Sequence, residues 1–321
     1  MVRTGTLSAG ALVLLLACGG EQEAVDSAAT TPDSTAARKE LPAALLVAED
    51  LYALQIGERP PLLIDVRPAD EYAQGHIPGA VQLWRDRLTR TDLTYSGMAV
   101  ARDTMAAVLG ALGLRPDQAV VLYDDRGGCE AARVRWLMQV YGHADVRLLD
   151  GGWATWTREG RSTDTATVQL AVTDYHFPGP VDSSLVATLA DVQAALDAGH
   201  VLLDTRSTDE YTGRDRKKGA ARPGTIPGSL LYDWGNSVDY DHGQCLRDAD
   251  DLRARMTALG LSPEDTIITF CHSGVRSAHT AFVLREVLGF PHVRNYDGSW
   301  TEWSHFPELP AQVDTTGAPP A

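Results

Sequence analysis

The chain contains the same pattern twice, and this duplication limits it to folds made of two similar domains. In each half, an apolar run ends in Asp-x-Arg, a Glu-Tyr pair follows at a fixed offset, and an Ile-Pro-Gly turn comes later. The matching segments are 62–67 and 201–206, 71–72 and 210–211, 77–79 and 226–228, and 150–153 and 297–300. Motifs that recur in one order indicate two copies of one structural unit.

Each half alternates short apolar strands with amphipathic helices. The pattern predicts helices over 103–112 and 250–259, and each is followed by a strand, at 119–123 and 266–270. We therefore expect an α/β fold, with a parallel sheet covered by helices in each half and functional residues at the carboxyl ends of strands. The predicted boundaries are domain one at 41–159, a linker at 160–182, domain two at 183–306 and a disordered tail at 307–321.

A cysteine, Cys271, stands between the strand 266–270 and a helix predicted over 277–288. Backbone N–H groups at a helix start lack intrahelical partners, and with the helix dipole they favour a thiolate over a thiol. Gly274 allows backbone angles that other residues avoid, and Arg276 adds a positive charge. Most lone cysteines only pack, but a packing residue would need neither neighbour, so the pattern favours a reactive thiolate.

The segment from Cys271 to Ser277, Cys-His-Ser-Gly-Val-Arg-Ser, resembles the active-site loop of the rhodanese family of sulfurtransferases. The resemblance covers about residues 41–306 and implies two tandem rhodanese-like domains. It also implies that Cys271 takes sulfur from a donor and carries it as a persulfide. It places substrate-binding roles on His272, Ser273, Gly274, Val275 and Arg276, and structural roles near the site on Asp204, Arg206 and Ser277, the last as a helix cap.

The two halves differ at the position of the nucleophile. When the two Asp-Gly motifs are aligned, Asp124 falls opposite Cys271, and Cys129 falls opposite Arg276. Because an aspartate cannot act as a sulfur nucleophile, domain one is predicted to be an inactive copy and Cys129 a packing residue. The sequence leaves open whether Cys129 and Cys245 form a disulfide. It contains no Cys-x-x-Cys pair and no spacing typical of zinc ligands, so no metal and no cofactor is predicted.

Domain two is about ten residues longer between Tyr211 and Ile226 than domain one is between Tyr72 and Ile77. One interpretation of this insert is an anion-collecting rim beside the nucleophile, with Arg214 binding substrate. The other is a solvated surface loop, and the sequence does not separate the two. The insert carries the cations Arg214, Arg216, Lys217, Lys218 and Arg222.

Within the rhodanese family, two sulfur donors have to be compared, thiosulfate and 3-mercaptopyruvate. Mercaptopyruvate enzymes carry a Cys-Gly-Ser/Thr-Gly loop and an arginine soon after the Asp-x-Arg strand end, where this chain has His272 and Glu210. The place of Arg276 is similar to that in bacterial thiosulfate enzymes. The resemblance therefore predicts sulfur transfer from thiosulfate to cyanide or a thiol, with 3-mercaptopyruvate as the alternative donor.

Two other kinds of protein remain as alternatives. Phosphatases of related fold need five residues between Cys and Arg to enclose a phosphate, whereas four separate Cys271 from Arg276, which disfavours a phosphatase. A non-enzymatic module of the cell envelope that binds or senses persulfides would fit domain one by itself. Domain two does not fit that description, because its loop is complete.

The N-terminus has the pattern of a bacterial lipoprotein. A positive start and an apolar run over 11–17 indicate a signal peptide, since the run is too short to span a bilayer. The segment Leu-Leu-Ala-Cys-Gly resembles a lipobox, which implies a signal peptide at 1–17, lipidation of Cys18 and a flexible tether up to residue 40. The chain would then be anchored on the periplasmic side of the envelope, and Gly19 favours the outer membrane. The net charge of −15 argues against nucleic acid as a partner.

Overall fold

The computed structural model describes residues 41–313, and domain one contains a five-stranded sheet. Its strands are β1 (Leu45–Leu46), β2 (Leu62–Asp65), β3 (Val81–Gln82), β4 (Val120–Tyr123) and β5 (Val146–Leu149), in the spatial order β1-β5-β4-β2-β3. Its helices are α1 (Ala48–Gln55), α2 (Ala69–Gln74), α3 (Arg102–Ala111), α4 (Cys129–Val140) and α5 (Gly152–Arg158), with a 3-10 helix at Arg85–Leu88. Every neighbouring pair of strands is parallel, so the connections between paired strands pass over a face of the sheet.

Domain two repeats this arrangement. Its sheet consists of β6 (Val186–Ala187), β7 (Val201–Asp204), β8 (Leu230–Leu231), β11 (Ile267–Phe270) and β12 (Val293–Tyr296), in the order β6-β12-β11-β7-β8. An antiparallel ribbon is added by β9 (Val238–Asp239) and β10 (Cys245–Leu246). The helices are α6 (Leu189–Ala198), α7 (Thr208–Thr212), α8 (Ala249–Ala258), α9 (Val275–Phe282) and α10 (Ser299–Trp303), with a π-helix at Val283–Val287 and 3-10 helices at Ser183–Leu185, Trp234–Ser237 and Tyr240–His242.

The predicted α/β fold of two parallel-sheet domains is confirmed, since both sheets have equivalent strand order. The central strands β4 and β11 are buried along their whole length, as expected for strands covered by helices on both faces. The helices that follow them, α4 and α9, pack against each other, and their apolar side chains belong to one hydrophobic core. The two domains therefore meet along the helices that start at the two equivalent loops.

The linker 160–182 contains no helix and packs against domain one. The guanidinium of Arg102 donates to the carbonyl oxygens of Phe177 and Gly179 at 3.1 and 2.7 Å. Tyr175 and Phe177 are buried in the shared core. The linker is thus fixed to one domain by backbone acceptors and aromatic burial.

The prediction of a disordered tail from residue 307 is wrong for residues 307–313. Leu309 is buried, Gln312 pairs with Thr225 through backbone hydrogen bonds, and Trp303 donates to the carbonyl of Pro310 at 2.8 Å. The segment follows a buried tryptophan and has backbone hydrogen-bond partners. Its polar composition gave no sign of these contacts. Residues 314–321, the predicted signal peptide and tether, and Cys18 lie outside the described residues. No helix within 41–313 has the length and apolar character to cross a membrane.

Candidate active site

The loop of the candidate nucleophile lies at the carboxyl end of β11, where parallel sheets commonly hold their sites. After Phe270, Cys271 leads into a turn, and α9 begins at Val275 with Gly274 as its N-cap at φ +74°. The predicted helix start at residue 277 is wrong by two residues. Ser277 therefore lies in the first helical turn, where backbone N–H groups lack intrahelical partners, and does not cap the helix.

The surroundings of Cys271 stabilise a thiolate. The side chain is buried, with 1% exposure, yet it lines a cavity. Burial disfavours the charged form, but the charge of Arg276, the hydroxyl of Ser277 and the backbone N–H groups of Ser277 and Ser273 outweigh it, so the pKa of Cys271 is lowered. The Ser277 Oγ lies 3.5 Å from the Cys271 Sγ. Cys271 is thus a cavity-lining nucleophile with a depressed pKa.

Arg276 is held by a carboxylate that the sequence did not assign to it. Its Nη1 and Nη2 atoms donate to Glu210 Oε2 and Oε1 at 2.6 and 2.9 Å. Lys217 Nζ lies 3.3 Å from the same carboxylate. Burial of Glu210 is outweighed by these hydrogen bonds and charges, which lower its pKa to about 2. Arg276 lines the cavity with its Nη1 and Nη2 atoms held by Glu210, and its charge acts on Cys271; its predicted role in binding substrate stays a prediction.

His272 is neutral at pH 7. Burial lowers its pKa to about 4, and its Nε2 donates to the carbonyl oxygen of Lys218 at 3.1 Å. An uncharged ring cannot stabilise the thiolate by charge. His272 instead forms part of the cavity wall and attaches the nucleophile loop to the insert of domain two.

Ser299 stabilises the nucleophile loop through hydrogen bonds, a role that the sequence did not predict. Its Oγ accepts hydrogen bonds from the backbone N–H groups of Cys271 and Gly274 at 3.1 and 3.0 Å and donates to the carbonyl of Tyr296 at 2.7 Å. Its φ of 50° is strained for a residue other than glycine. The equivalent residue in domain one is Gly152, at φ 47°, so a serine where its repeat has glycine was the available signal.

The Asp-x-Arg motifs form buried ion pairs at the strand ends. Arg206 contacts Asp204 at 2.5 Å and also donates to the carbonyl of Gly224 at 2.9 Å. Arg67 and Asp65 form the same pair in domain one, at 2.6 Å. In domain two the pair therefore ties the strand end to the start of the Ile-Pro-Gly turn.

Some cations of the basic insert lie where an anion-collecting rim would place them, and others do not. Lys217 and Lys218 line the cavity. Arg214 does not line it, because its exposed side chain pairs with Asp209 at 2.9 Å, so the placement does not support the predicted substrate contact. Arg222 donates to the carbonyls of Phe306 and Leu309 and thus fixes the insert to the C-terminal segment. Trp300 and Trp303 also lie in the core of domain two and not in the cavity wall.

Domain one holds the nucleophile loop from the opposite side. Arg133, on α4, forms an ion pair with Asp297 and lies 3.4 Å from the carbonyl of Gly274. Gly97 packs so closely on Ser273 that an added Cβ would lie 2.4 Å from the serine Cβ. The loop geometry therefore depends on both domains.

The site opens into a cavity of about 600 Å³ between the domains. Domain two contributes Cys271, His272, Ser273, Arg276, Lys217 and Lys218, and domain one contributes Arg85, Asp86, Arg126, Cys129, Glu130 and Arg133. The cavity wall is therefore rich in cations, which favours anionic ligands. The sequence did not predict that domain one supplies more than half of the residues that line it.

In domain one, Asp124 fills the place that Cys271 occupies in domain two. Its carboxylate accepts hydrogen bonds from four backbone N–H groups, those of Arg126, Gly128, Glu130 and Ala131, at 2.7–3.0 Å. The nest that would hold a thiolate is thus filled by a fixed carboxylate, and the domain has no sulfur nucleophile there.

The two loops differ in length by one residue, which corrects the sequence alignment. Four residues precede α4 after Asp124, but three precede α9 after Cys271. Cys129 is therefore the counterpart of Val275 and not of Arg276. The π-helix at the end of α9 takes up one extra residue, and this restores the register before β12.

Cys129, Cys245 and Cys271 are all free thiols. Burial raises the pKa of Cys129 well above its ordinary value, so this thiol is far less reactive than Cys271 although both line the cavity. Within residues 41–313, no group of histidine, cysteine and acidic side chains is placed to hold a metal ion.

Comparison with known proteins agrees with this geometry. The rhodanese-like domain matches residues 47–159 and again residues 188–306. A thiosulfate sulfurtransferase of Pseudomonas aeruginosa is 32% identical over 278 residues, which cover 84% of this chain and 97% of the relative. The sulfur carrier protein TtuD of Thermus thermophilus is 35% identical over 254 residues, covering 74% and 86% of the two chains.

A solved structure shares the fold over most of the chain. It is an EanB variant with a cysteine persulfide, determined with ergothioneine, and it superimposes with a TM-score of 0.75 at 25% identity. The match covers 84% of this chain and 70% of the EanB chain.

Proposed function

This chain belongs to the rhodanese family of sulfurtransferases, and from that premise we propose that it transfers sulfur from thiosulfate through a persulfide on Cys271. The observation that carries the proposal is a cysteine with a lowered pKa at the base of an open cavity. The relative from Pseudomonas aeruginosa, named a thiosulfate sulfurtransferase, supports the choice of donor. The persulfide in the EanB variant supports the intermediate.

In the first step, the Cys271 thiolate attacks the outer sulfur of thiosulfate. A bond forms between Sγ and that sulfur, the sulfur–sulfur bond of the donor breaks, and sulfite leaves with the electron pair. Lys217 and Lys218 on the cavity wall attract the dianion. The N–H groups and the Ser277 hydroxyl that stabilise the thiolate are placed to stabilise the persulfide anion as well.

In the second step, cyanide or a thiolate attacks the outer persulfide sulfur. The new bond joins that sulfur to the acceptor, and Cys271 leaves as the thiolate that began the cycle. No external oxidant or reductant is needed, because the sulfane sulfur passes from one nucleophile to another. Splitting the transfer into two displacements is the benefit of covalent catalysis.

The donor preference follows from the charges near Arg276. Glu210 holds the Nη1 and Nη2 atoms of Arg276, so that edge of the guanidinium is not free for the carboxylate of a donor. We expect kcat/KM for thiosulfate to exceed that for 3-mercaptopyruvate, which remains the alternative donor. Thiocyanate and pyruvate assays on the purified protein test this directly, and faster turnover of mercaptopyruvate would overturn it.

The alternative without catalysis is a persulfide-binding or sensing module, and the TtuD relative is named a sulfur carrier. Steady-state thiocyanate formation separates the two. Cys271→Ser should abolish turnover, while Cys245→Ser, which changes a half-buried thiol outside the cavity, should keep it. Binding of one sulfur per chain without repeated turnover would favour the carrier.

We also propose that the protein is anchored in the cell envelope through lipidated Cys18. The lipobox-like segment around Cys18 supports this. Expression in a bacterium followed by membrane fractionation tests it, with Cys18→Ser as the control. Release of that variant into the soluble fraction is the expected result, and equal membrane association of both proteins would contradict the anchor.

A further inference from the structure

One wall of the cavity has features that the transfer of sulfur to Cys271 does not use. Glu130, on α4, lies in that wall with its side chain 7% exposed, and Arg85 contacts its Oε1 at 3.3 Å. Its Oε2 has no hydrogen-bond partner in the described part of the chain. Buried carboxylate oxygens nearly always have a partner, so this oxygen is left unsatisfied by the protein. Burial raises the pKa of Glu130, and a cationic donor from a ligand at this oxygen would favour the carboxylate.

A cation stands beside this carboxylate on the same wall. Arg126 is about half exposed, and the carboxylate paired with it, that of Asp125, lies as far as 3.9 Å away. Its guanidinium is therefore free to bind a second carboxylate, for which its planar fork is suited. The wall thus presents an acceptor for a positive group and a donor for a negative group side by side.

We propose that this wall binds the α-amino acid head group of the sulfur acceptor, with the ammonium on Glu130 and the carboxylate on Arg126. The inference rests on the proposed function and defines its second substrate as a thiol that bears a free amino group and a free carboxylate. The acceptor thiolate then attacks the outer sulfur of the Cys271 persulfide. A bond forms between the two sulfurs, Cys271 leaves as a thiolate, and the product is the persulfide of the acceptor.

The size of the cavity agrees with an acceptor larger than cyanide. Pockets of several hundred cubic ångströms enclose ligands of the size of a drug molecule. Thiosulfate and cyanide would leave most of the 600 Å³ empty. A short peptide with its amino acid head group at one end and a thiol further along would fill more of this volume.

The same cations could instead serve to attract the donor, and Glu130 distinguishes the cases. Thiosulfate is a dianion, and the carboxylate of Glu130 offsets the attraction that Arg85 would exert on it. Cations alone would serve a donor, whereas a carboxylate beside a cation matches a zwitterion. The pairing therefore favours the acceptor.

The test measures kcat/KM for three acceptors with saturating thiosulfate. They are glutathione, glutathione acetylated on its amino group, and glutathione diethyl ester. In ping-pong kinetics this ratio reports only the second half-reaction, and dividing each variant by the wild type cancels the intrinsic reactivity of each thiol.

The variants remove one charge each. Glu130→Gln should lower kcat/KM for glutathione about tenfold and that for the acetylated thiol by less than about twofold. Arg126→Gln should lower the value for glutathione about tenfold and hardly affect the diester. Arg115→Gln, which neutralises an exposed arginine outside the cavity, should match the wild type with all three.

Equal losses with all three thiols, or no loss in either variant, would overturn the proposal. Because Arg126 is half exposed, its substitution does not threaten folding, so it decides the question even if Glu130→Gln is unstable. Thiocyanate formation by the wild type shows which idea has failed. If no thiocyanate forms, the proposed function is wrong, and if it forms while the variants fail to discriminate, only the head-group site is wrong.

Discussion

Replacing Glu210 with glutamine should destabilise the protein in a way that depends on pH. The Glu210 carboxylate is 2% exposed and is held by Arg276 and Lys217. Glutamine preserves the shape of the side chain but leaves Arg276 as a buried cation without its paired carboxylate. Removing one member of a buried ion pair is usually costly for this reason.

The magnitude follows from the pKa of Glu210. In the folded protein, hydrogen bonds from Arg276 outweigh burial and lower this pKa from 4.5 to about 2. At 1.36 kcal/mol for each pKa unit, the pairing stabilises the fold by about 3 kcal/mol at pH 7. Because the folded pKa is depressed, this contribution is complete above pH 4.5 and is lost as the pH falls toward about 2.

Urea unfolding of the wild type and Glu210→Gln, followed by tryptophan fluorescence between pH 7 and pH 3, measures the difference. Glu71→Gln is the matched control, since Glu71 is the copy of Glu210 in domain one. A hydrogen bond with Asp125 and burial raise the pKa of Glu71, so neutralising it should leave stability unchanged or increase it at pH 7.

A loss of stability at pH 7 in Glu210→Gln but not in Glu71→Gln is the distinctive expectation. The reasoning would be refuted if both variants lost the same stability at pH 7. It would also be refuted if the loss in Glu210→Gln stayed constant down to pH 3, because the destabilisation would then not come from the charge.

Two further predictions concern the nucleophile loop. Ser277→Ala removes a hydrogen bond to the Cys271 thiolate, so kcat/KM for thiosulfate should fall about tenfold at neutral pH. Its pH profile should also shift to higher pH, and an unshifted profile would exclude this role. Gly274→Ala should lower the free energy of unfolding by about 2 kcal/mol more than Gly289→Ala. Both glycines have a positive φ, but only at Gly274 would the new Cβ collide, at 2.7 Å from the Asp297 carbonyl oxygen; equal losses in urea unfolding would refute this.

Short-range sequence patterns predicted most of the fold. The repeated Asp-x-Arg ends, the alternation of strands and helices and the position of Cys271 after a buried strand are local, and each led to the correct element. The loop lengths were harder, because Asp124 and Cys271 align through their strands while the following helices are offset by one residue. Only the π-helix after α9 reveals where the extra residue goes.

Contacts between distant residues were not predictable from one sequence. No sequence pattern near Arg276 indicates that its guanidinium pairs with Glu210. No pattern assigns Glu130 or Arg126 to the cavity that Cys271 lines. Charge alone did not separate Arg214, which pairs with Asp209, from Lys217 and Lys218, which line the cavity, because a cluster of cations in a loop does not show which side chains face inward. Local sequence therefore predicts the nucleophile, whereas the charges around it come from residues far apart in the chain.

The most direct test of the account is the mass of the peptide that contains Cys271 after the purified protein has been incubated with thiosulfate. The account predicts a gain of one sulfur atom on that peptide, its loss on addition of cyanide, and no gain on the peptide that contains Cys129. A peptide of unchanged mass at Cys271, or sulfur found on Cys129 instead, would contradict it.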